Sequence, residues 1–367
     1  MELNYKKLGE YIQQVDIRNI EGKEENLLGV SVQKKFIPSI ANTVGTDFTK
    51  YKVVKKGQFT YIPDTSRRGD KIGIALLEDY NEGLVSNVYT VFEIIDEKQL
   101  LSQYLMLWFS RSEFDRYARF KSHGSVREIF DWEELCMVEL PIPSLEKQKE
   151  IVNAYNTISK RIELKKQINA NLEATAQAIY KKMFIKDIDL TNLQSNWKIE
   201  LLENIASLSA GGDRPSICSE FPTKECNIPI FSNGIVEEGL YGYTNLAKIF
   251  DNSVTVSARG TIGYVFLREE PYFPIVRLIS VIPKNTILTA QYLYFALKNI
   301  DLQGTGTSQQ QITVPDLKKH QILVPCEEVM RDFSSKITPL FSIIKQNKAE
   351  IKALIAMQSY WLATLTH

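Results

Sequence analysis

Hydrophobic positions in this chain follow two different rhythms. After Pro143, apolar residues recur in alternating steps of three and four at Ile151, Tyr155, Ile158, Ile162, Leu172, Ala176, Ile179 and Met183, with Lys165 and Asn169 filling the one gap. After Pro325 the same rhythm gives Phe333, Ile337, Leu340, Ile344, Ile351, Leu354 and Trp361, with Asn347 in the gap. A spacing of 3.5 residues is the seam of a coiled coil. About 40 residues at 1.5 Å each make a rod of roughly 60 Å. Ser144, with Glu146 just after it, supplies an N-terminal cap for the first rod. Pro339 lies inside the second rod and is expected to kink it or split off a short helix. The expected subunit-interface seam is Ile158, Ile162, Leu172 and Ile179 against Leu340, Ile344, Ile351 and Leu354.

Before each rod the rhythm shortens. Phe59-Thr60-Tyr61-Ile62, Ile72-Gly73-Ile74-Ala75-Leu76, Ser253-Val254-Thr255-Val256-Ser257 and Ile262-Gly263-Tyr264-Val265-Phe266 read as strands. Residues 103–109 and 291–297 read as helices. The fold class is therefore α+β, with two β-rich mixed globular units and two long helices that pair as an antiparallel coiled coil. The boundaries fall at 1–143, 144–185 (first rod), 186–196 (polar linker), 197–325 and 326–367 (second rod). Since each rod leaves its globular unit in the same way, antiparallel pairing would put the globular units at opposite ends of a dumbbell.

The two globular units repeat one another. Leu8-Gly9-Glu10-Tyr11-Ile12 corresponds to Leu201-Leu202-Glu203-Asn204-Ile205, and Gly69-Asp70-Lys71-Ile72-Gly73 to Gly260-Thr261-Ile262-Gly263. Ser102-Gln103-Tyr104-Leu105 lies over Ala290-Gln291-Tyr292-Leu293, His123-Gly124-Ser125 over Thr305-Gly306-Thr307, and Leu140-Pro141-Ile142-Pro143 over Ile322-Leu323-Val324-Pro325. The offset falls from 193 at the first match to 182 at the last, as small loop deletions in a duplicated unit would make it.

Composition narrows the function classes. The chain has 367 residues, 44% of them hydrophobic, enough for two domains with real cores. Lys+Arg and Asp+Glu both number 44, a balance that leaves room for locally polarised surfaces. Four scattered cysteines (Cys136, Cys218, Cys226, Cys326) form no CxxC pair, and His123, His320 and His367 do not join them at metal-ligand spacing. No apolar run approaches a membrane span, and a soluble cytoplasmic protein is expected. The chain contains no GxxxxGK[ST] loop and no Asn/Asp-Pro-Pro-Tyr/Phe tetrapeptide. The nearest nuclease pattern, Pro315-Asp316 with Glu350-Ile351-Lys352, would strand its Glu and Lys on the second rod. No catalytic residue, metal site or cofactor is expected, and the sequence reads as that of a binding protein.

Candidate DNA contacts lie in loops that combine glycine, hydroxyls, amides and cations. Arg grips guanine bidentately, Asn and Gln grip adenine, and Ser, Thr and backbone amides anchor phosphates. In the first half these are Arg67, Arg68 and Lys71 in one loop and Lys121, Ser125 and Arg127 in another. In the second half they are Arg259 and Thr261, then Thr307, Ser308, Gln309 and Gln310. Arg214 in the Gly211-Gly212-Asp213-Arg214-Pro215 turn, and Ser232 and Asn233 in Phe231-Ser232-Asn233-Gly234, are further candidates. Lys34 and Lys35 read as a plain solvated pair. The first rod is basic through Lys160, Arg161, Lys165, Lys166, Lys181 and Lys182.

The layout resembles the specificity subunit of Type I restriction–modification systems. The resemblance is carried by the unit openings (Leu8-Gly9-Glu10; Trp197-Lys198 with Leu201-Leu202-Glu203-Asn204-Ile205), the Gly211–Pro215 turn, Arg259-Gly260-Thr261-Ile262-Gly263, Gly306-Thr307-Ser308-Gln309-Gln310-Gln311-Ile312, and the Leu-Pro-Ile-Pro lead-in with Gln148-Lys149-Glu150-Ile151. The first half departs from it, lacking a GG-x-P turn and carrying Val126-Arg127-Glu128 where glutamines are usual. The resemblance implies that each globular unit is a target-recognition domain reading one half of a split double-stranded DNA site. It also implies that the rods act as a ruler and dock two methyltransferase subunits, with restriction–translocase subunits joining through those. S-adenosylmethionine, ATP and magnesium would then be bound by the partners alone. The rival reading is a duplicated protein-interaction adaptor on a coiled-coil stalk, without DNA contact.

Overall fold

The computed structural model describes residues 5–40, 43–65, 71–122, 128–194, 196–285, 287–302 and 311–364. The chain forms two compact units, Met1–Lys166 with Lys348–His367 and Gln167–Asn347. These units do not end where the sequence boundaries fall, because each takes in a part of both long helices.

In the first unit the strands are β1 (Tyr5–Lys7), β2 (Ile12–Val15), β3 (Leu28–Val30), β4 (Phe36–Pro38), β5 (Lys52–Lys55), β6 (Phe59–Ile62), β7 (Gly73–Leu76), β8 (Glu82–Val85) and β9 (Thr90–Ile94). Helices α1 (Ser102–Phe109), α2 (Ser112–Lys121) and α3 (Trp132–Cys136) follow, then β10 (Glu139–Pro141) and the long α4 (Leu145–Phe184). The central sheet is antiparallel, in the order β2-β9-β6-β7. The first strand pairs with the last, Tyr5 opposite Pro141.

The second unit starts with the end of α4 and continues through β11 (Lys198–Leu201), α5 (Leu202–Ile205), β12 (Ala206–Ala210), β13 (Ile228–Phe231), β14 (Leu240–Thr244), β15 (Ser253–Val256), β16 (Val265–Arg268), β17 (Phe273–Pro274) and β18 (Ile279–Pro283). Then come α6 (Ala290–Lys298), α7 (Val314–Lys318), β19 (Gln321–Val324) and the long α8 (Glu327–Thr364). Its central sheet has the order β12-β18-β15-β16, and again the first strand pairs with the last, Lys198 opposite Val324.

The two frames are thus the same frame. Tyr104 donates its hydroxyl to Pro141 O at 3.0 Å, and its repeat counterpart Tyr292 donates to Leu323 O. Thr60, paired with Val91 and Ala75, and Thr255, paired with Ser280 and Phe266, are both fully buried at the same place in their sheets. The offset between these threonines is 195, so it rises before it falls and the one-directional drift expected from the sequence is corrected. β16 begins at Val265, later than expected, because Gly263 takes a left-handed φ of 80° that no strand accommodates.

Both long helices carry the 3.5-residue burial rhythm. In the first unit Ile162 is buried and Ile158, Ile351 and Leu354 are half-buried, while Gln358 donates to Ser159 at 2.6 Å and Arg161 to Glu350 at 2.7 Å. In the second unit Ile344 is buried, Leu172, Ile179 and Leu340 pack on the core, and Asn347 donates to Asn169 at 2.8 Å. In each unit the partner number falls as the other rises, so the pairing is antiparallel. Pro339 does not split α8, contrary to expectation. It sits on the exposed side, where the Ser335 carbonyl it leaves unpaired can meet water. Ser144 caps α4 by accepting from Lys147 N at 3.4 Å. No helix among the described residues is long and apolar enough to cross a membrane.

Candidate nucleic-acid interface

In each unit the stems of two loops are tied together. In the second unit Arg259 and Gln311 form an isolated antiparallel bridge, and Ile312 N donates to Ala258 O at 2.9 Å. In the first, Asp64 and Ile129 form the same bridge, and Phe130 N donates to Pro63 O at 2.9 Å. Behind each bridge a short helix is capped by a side chain, Asp131 to Glu134 N and Thr313 to Asp316 N. The stems of the loop pairs recognised as similar in composition are therefore neighbours in space.

Of the residues expected to touch DNA, Arg67, Arg68, Ser125, Arg127, Thr307, Ser308, Gln309 and Gln310 lie outside the described residues. In the first unit Lys71 is exposed beside Ile72, whose amide donates to Asp115 at 3.1 Å. Lys121 is half-buried with its ammonium 3.6 Å from Glu134, so part of its charge is already compensated. Thr65 is buried between the loops and bonds Ser122 Oγ at 2.9 Å and Glu128 O at 3.1 Å. Lys34 corrects its reading as a solvated residue. It is 8% exposed, adopts a left-handed φ of 60°, and sets its ammonium 2.8 Å from Asp115. Burial lowers its pKa, and Asp115 opposes that shift.

In the second unit more of the expected residues converge. Asn233 is held at both ends of its amide, accepting from Ala258 N at 2.8 Å and donating to Val276 O at 2.6 Å. It joins the loop after β13 to the Arg259 loop and acts as a brace. The turn at Gly211-Gly212 abuts the same region: Val276 N and Arg277 N donate to Gly212 O and Gly211 O at 2.8 and 2.9 Å. A Cβ on Gly211 would lie 2.7 Å from Ile275 N, which explains why glycine stands there. Ser232 is half-buried, its amide donating to Gly239 O at 2.8 Å. Arg259 and Arg214 are exposed, and Arg214 donates to the Tyr241 hydroxyl at 3.3 Å, a bond that raises its pKa. The Thr261 hydroxyl is shielded from solvent and has no hydrogen-bond partner among the described residues, so it does not face outward as expected.

Sequence reasoning missed three cations here. Arg277, exposed at φ 63°, follows Val276 at φ 51°, and no sequence signal marks two successive non-glycine residues in this region. Lys248 is exposed with its ammonium 4.3 Å above the Phe273 ring. Arg268 is 3% exposed, donates to Thr255 Oγ1 at 3.0 Å and lies 3.6 Å from the Phe231 ring centroid. Burial pushes its pKa down to about 10, so it stays charged at neutral pH. The Glu350 carboxylate of the nuclease-like pattern is engaged by Arg161 and by Lys165 at 2.8 Å. The surface these loops form offers guanidinium and ammonium groups on tight, preorganised turns, suited to phosphates and base edges.

Comparison with known proteins agrees with the duplicated frame. A protein of Mycoplasma pneumoniae named as a type I specificity subunit, S.MpnORF507P, is 31% identical over 210 residues, 56% of each chain. A second from the same organism, S.MpnORF89P, is 33% identical over 174 residues, so the matches span about half the length of these two relatives (56% and 51%). The MjaIX specificity subunit of Methanocaldococcus jannaschii is 24% identical over 296 residues, 71% of this chain and 67% of that one. The crystal structure of the S subunit of a Type I restriction–modification system from M. genitalium has the same fold, with a TM-score of 0.58 at 14% identity over 100% of this chain and 97% of that one. Residues 9–174 and 194–353 each match the Type I restriction modification DNA specificity domain, and the chain belongs to that family.

Proposed function

We propose that this chain is the non-catalytic, DNA-reading subunit of a Type I restriction–modification complex in the cytoplasm. Each globular half reads one half of a split double-stranded site, and the paired long helices set the spacer between half-sites. The helices also dock two methyltransferase subunits, through which restriction–translocase subunits join. S-adenosylmethionine, ATP and magnesium are held by those partners. One observation carries the reading: both halves repeat a frame in which the stems of two polar loops are bridged to one another. Family membership supports it, as do the exposed Arg214, Lys248, Arg259 and Arg277 on the loops of the second half. Arg is the side chain suited to guanine O6 and N7, and Lys and backbone amides suit phosphate.

The test is to co-express the chain with a Type I methyltransferase subunit and map methylated adenines by single-molecule sequencing. A split motif with a fixed spacer, one half of which changes when residues 197–325 are exchanged for those of a relative, is the expected result. A stable complex with an active methyltransferase but no chain-dependent methylation would favour the adaptor. DNA binding that falls steeply with salt separates the two readings more cheaply, because phosphate contacts release counterions.

A further inference from the structure

The hairpin between β13 and β14 turns through three successive left-handed residues, Glu237 at φ 49°, Glu238 at φ 56° and Gly239 at φ 84°. Two of them are not glycine, so the turn is strained and something must hold it. Ser232 N donates to Gly239 O at 2.8 Å on one side. On the other, the buried Arg268 donates to Glu238 O at 2.6 Å while its guanidinium lies against Phe231 and bonds Thr255. A buried arginine spent on fixing a surface turn makes that turn rigid.

The rigid turn presents Ile235 at 46% exposure, Val236 at 83% and the exposed Glu237. It continues directly from Asn233, which is braced against Ala258 beside Arg259, so it belongs to the same loop cluster as the cations. Its chemistry is the opposite of theirs. A carboxylate cannot grip a phosphate, and an apolar tip gains nothing from one. In the major groove, however, Glu accepts from cytosine N4, and an apolar side chain packs on the thymine methyl.

The geometry points to Val236 and Glu237 as the base-reading tip of the second half, with Val236 on a thymine methyl and Glu237 accepting from a cytosine amino group. Arg268 is a positioning residue for that tip. The inference rests on the DNA-reading function proposed above. It divides labour within the cluster: Arg214, Lys248, Arg259 and Arg277 supply the positive field, and the cation-free turn supplies discrimination.

The experiment is methylome mapping with the full chain and its methyltransferase partner, comparing wild type, Val236→Ser and Glu237→Gln. Both changes are on exposed side chains and leave the core intact. In the half-site that follows residues 197–325, Glu237→Gln should shift one cytosine position toward adenine by about ten-fold, because Gln pairs with adenine. Val236→Ser should relax a thymine position by a similar factor, about ten-fold, and the other half-site should stay unchanged. A wild-type motif retained at every position by both variants would overturn the tip. So would loss of methyltransferase binding by Val236→Ser with the motif intact in the complex that remains, which would make the turn a protein-docking element. Wild-type chain without any chain-dependent methylation is a different failure: it removes the DNA-reading function, and the tip falls with it.

Discussion

The two halves share a frame and differ in what they bury around it. In the second half Tyr180, Phe184, Tyr292, Phe295 and Phe333 form one aromatic cluster that locks both long helices to the domain, with ring centroids 5.1–6.4 Å apart. At the equivalent distance from the lead-in prolines the first half has Ile151 and Leu362, partly buried against its own core. Each half also buries a cation near its loops, Lys34 in the first and Arg268 in the second. Both lean on an aromatic ring and a carbonyl, Phe114 and Phe109 O for Lys34, Phe231 and Glu238 O for Arg268. The carboxylate beside Lys34, Asp115, is itself shielded, whereas the ion pair of Arg268 with Glu238 is half in solvent. A duplicated architecture thus keeps its hydrogen-bonded skeleton and lets the packing chemistry diverge.

The largest expected effect breaks the aromatic lock. Phe333→Ala should cost about 4 kcal/mol in denaturant unfolding, against about 2 kcal/mol for Ile151→Ala at the corresponding place. Equal losses would mean that the helices are held equally in both halves. Next comes the buried charge: Asp115→Ala should cost about 3 kcal/mol by removing the counter-charge of the buried Lys34 ammonium, which keeps the Phe109 carbonyl as a partner. Glu238→Gln should cost under about 1 kcal/mol, because that carboxylate is well exposed and Arg268 keeps its other partners. Third, Arg259→Ala should weaken specific DNA binding by about ten-fold in a titration with cognate duplex. Lys121→Ala, already paired with Glu134, should leave affinity within about two-fold. The last contrast is the sharpest in sign. Thr60 Oγ1 is buried without a hydrogen-bond partner among the described residues, and Thr60→Val should raise stability by about 1 kcal/mol. Thr255 at the same sheet position accepts from Arg268, and Thr255→Val should lower stability by about 1–2 kcal/mol.

The helices were legible because their periodicity runs for ten turns, long enough for apolar steps of three and four to be unmistakable. The strands at residues 59–62 and 253–257, and the repeat that aligns Tyr104 with Tyr292, were legible for a similar reason: β-branched and aromatic runs bounded by turn residues. Pairing between the ends of each half was not, since nothing local to Tyr5–Lys7 announces Glu139–Pro141 as its neighbour. The loops could be picked out by composition, but not the roles within them. Asn233 has the composition of a reader and the bonds of a brace, while Arg277 is set on the surface by a left-handed pair that the residue types themselves disfavour. Lys34 looks like any surface lysine until Asp115, far along the chain, is folded against it.

The return of the second long helix to the first unit has a consequence for synthesis. The second compact unit is one uninterrupted stretch, Gln167–Asn347, whereas the first needs both Met1–Lys166 and Lys348–His367. Chains emerge from the ribosome in order, and contacts between residues far apart in sequence form late. The half translated second can therefore finish folding first. The half translated first must wait, with the Ile151 side of its helix uncovered, until Leu362 has been made and seated against the same core.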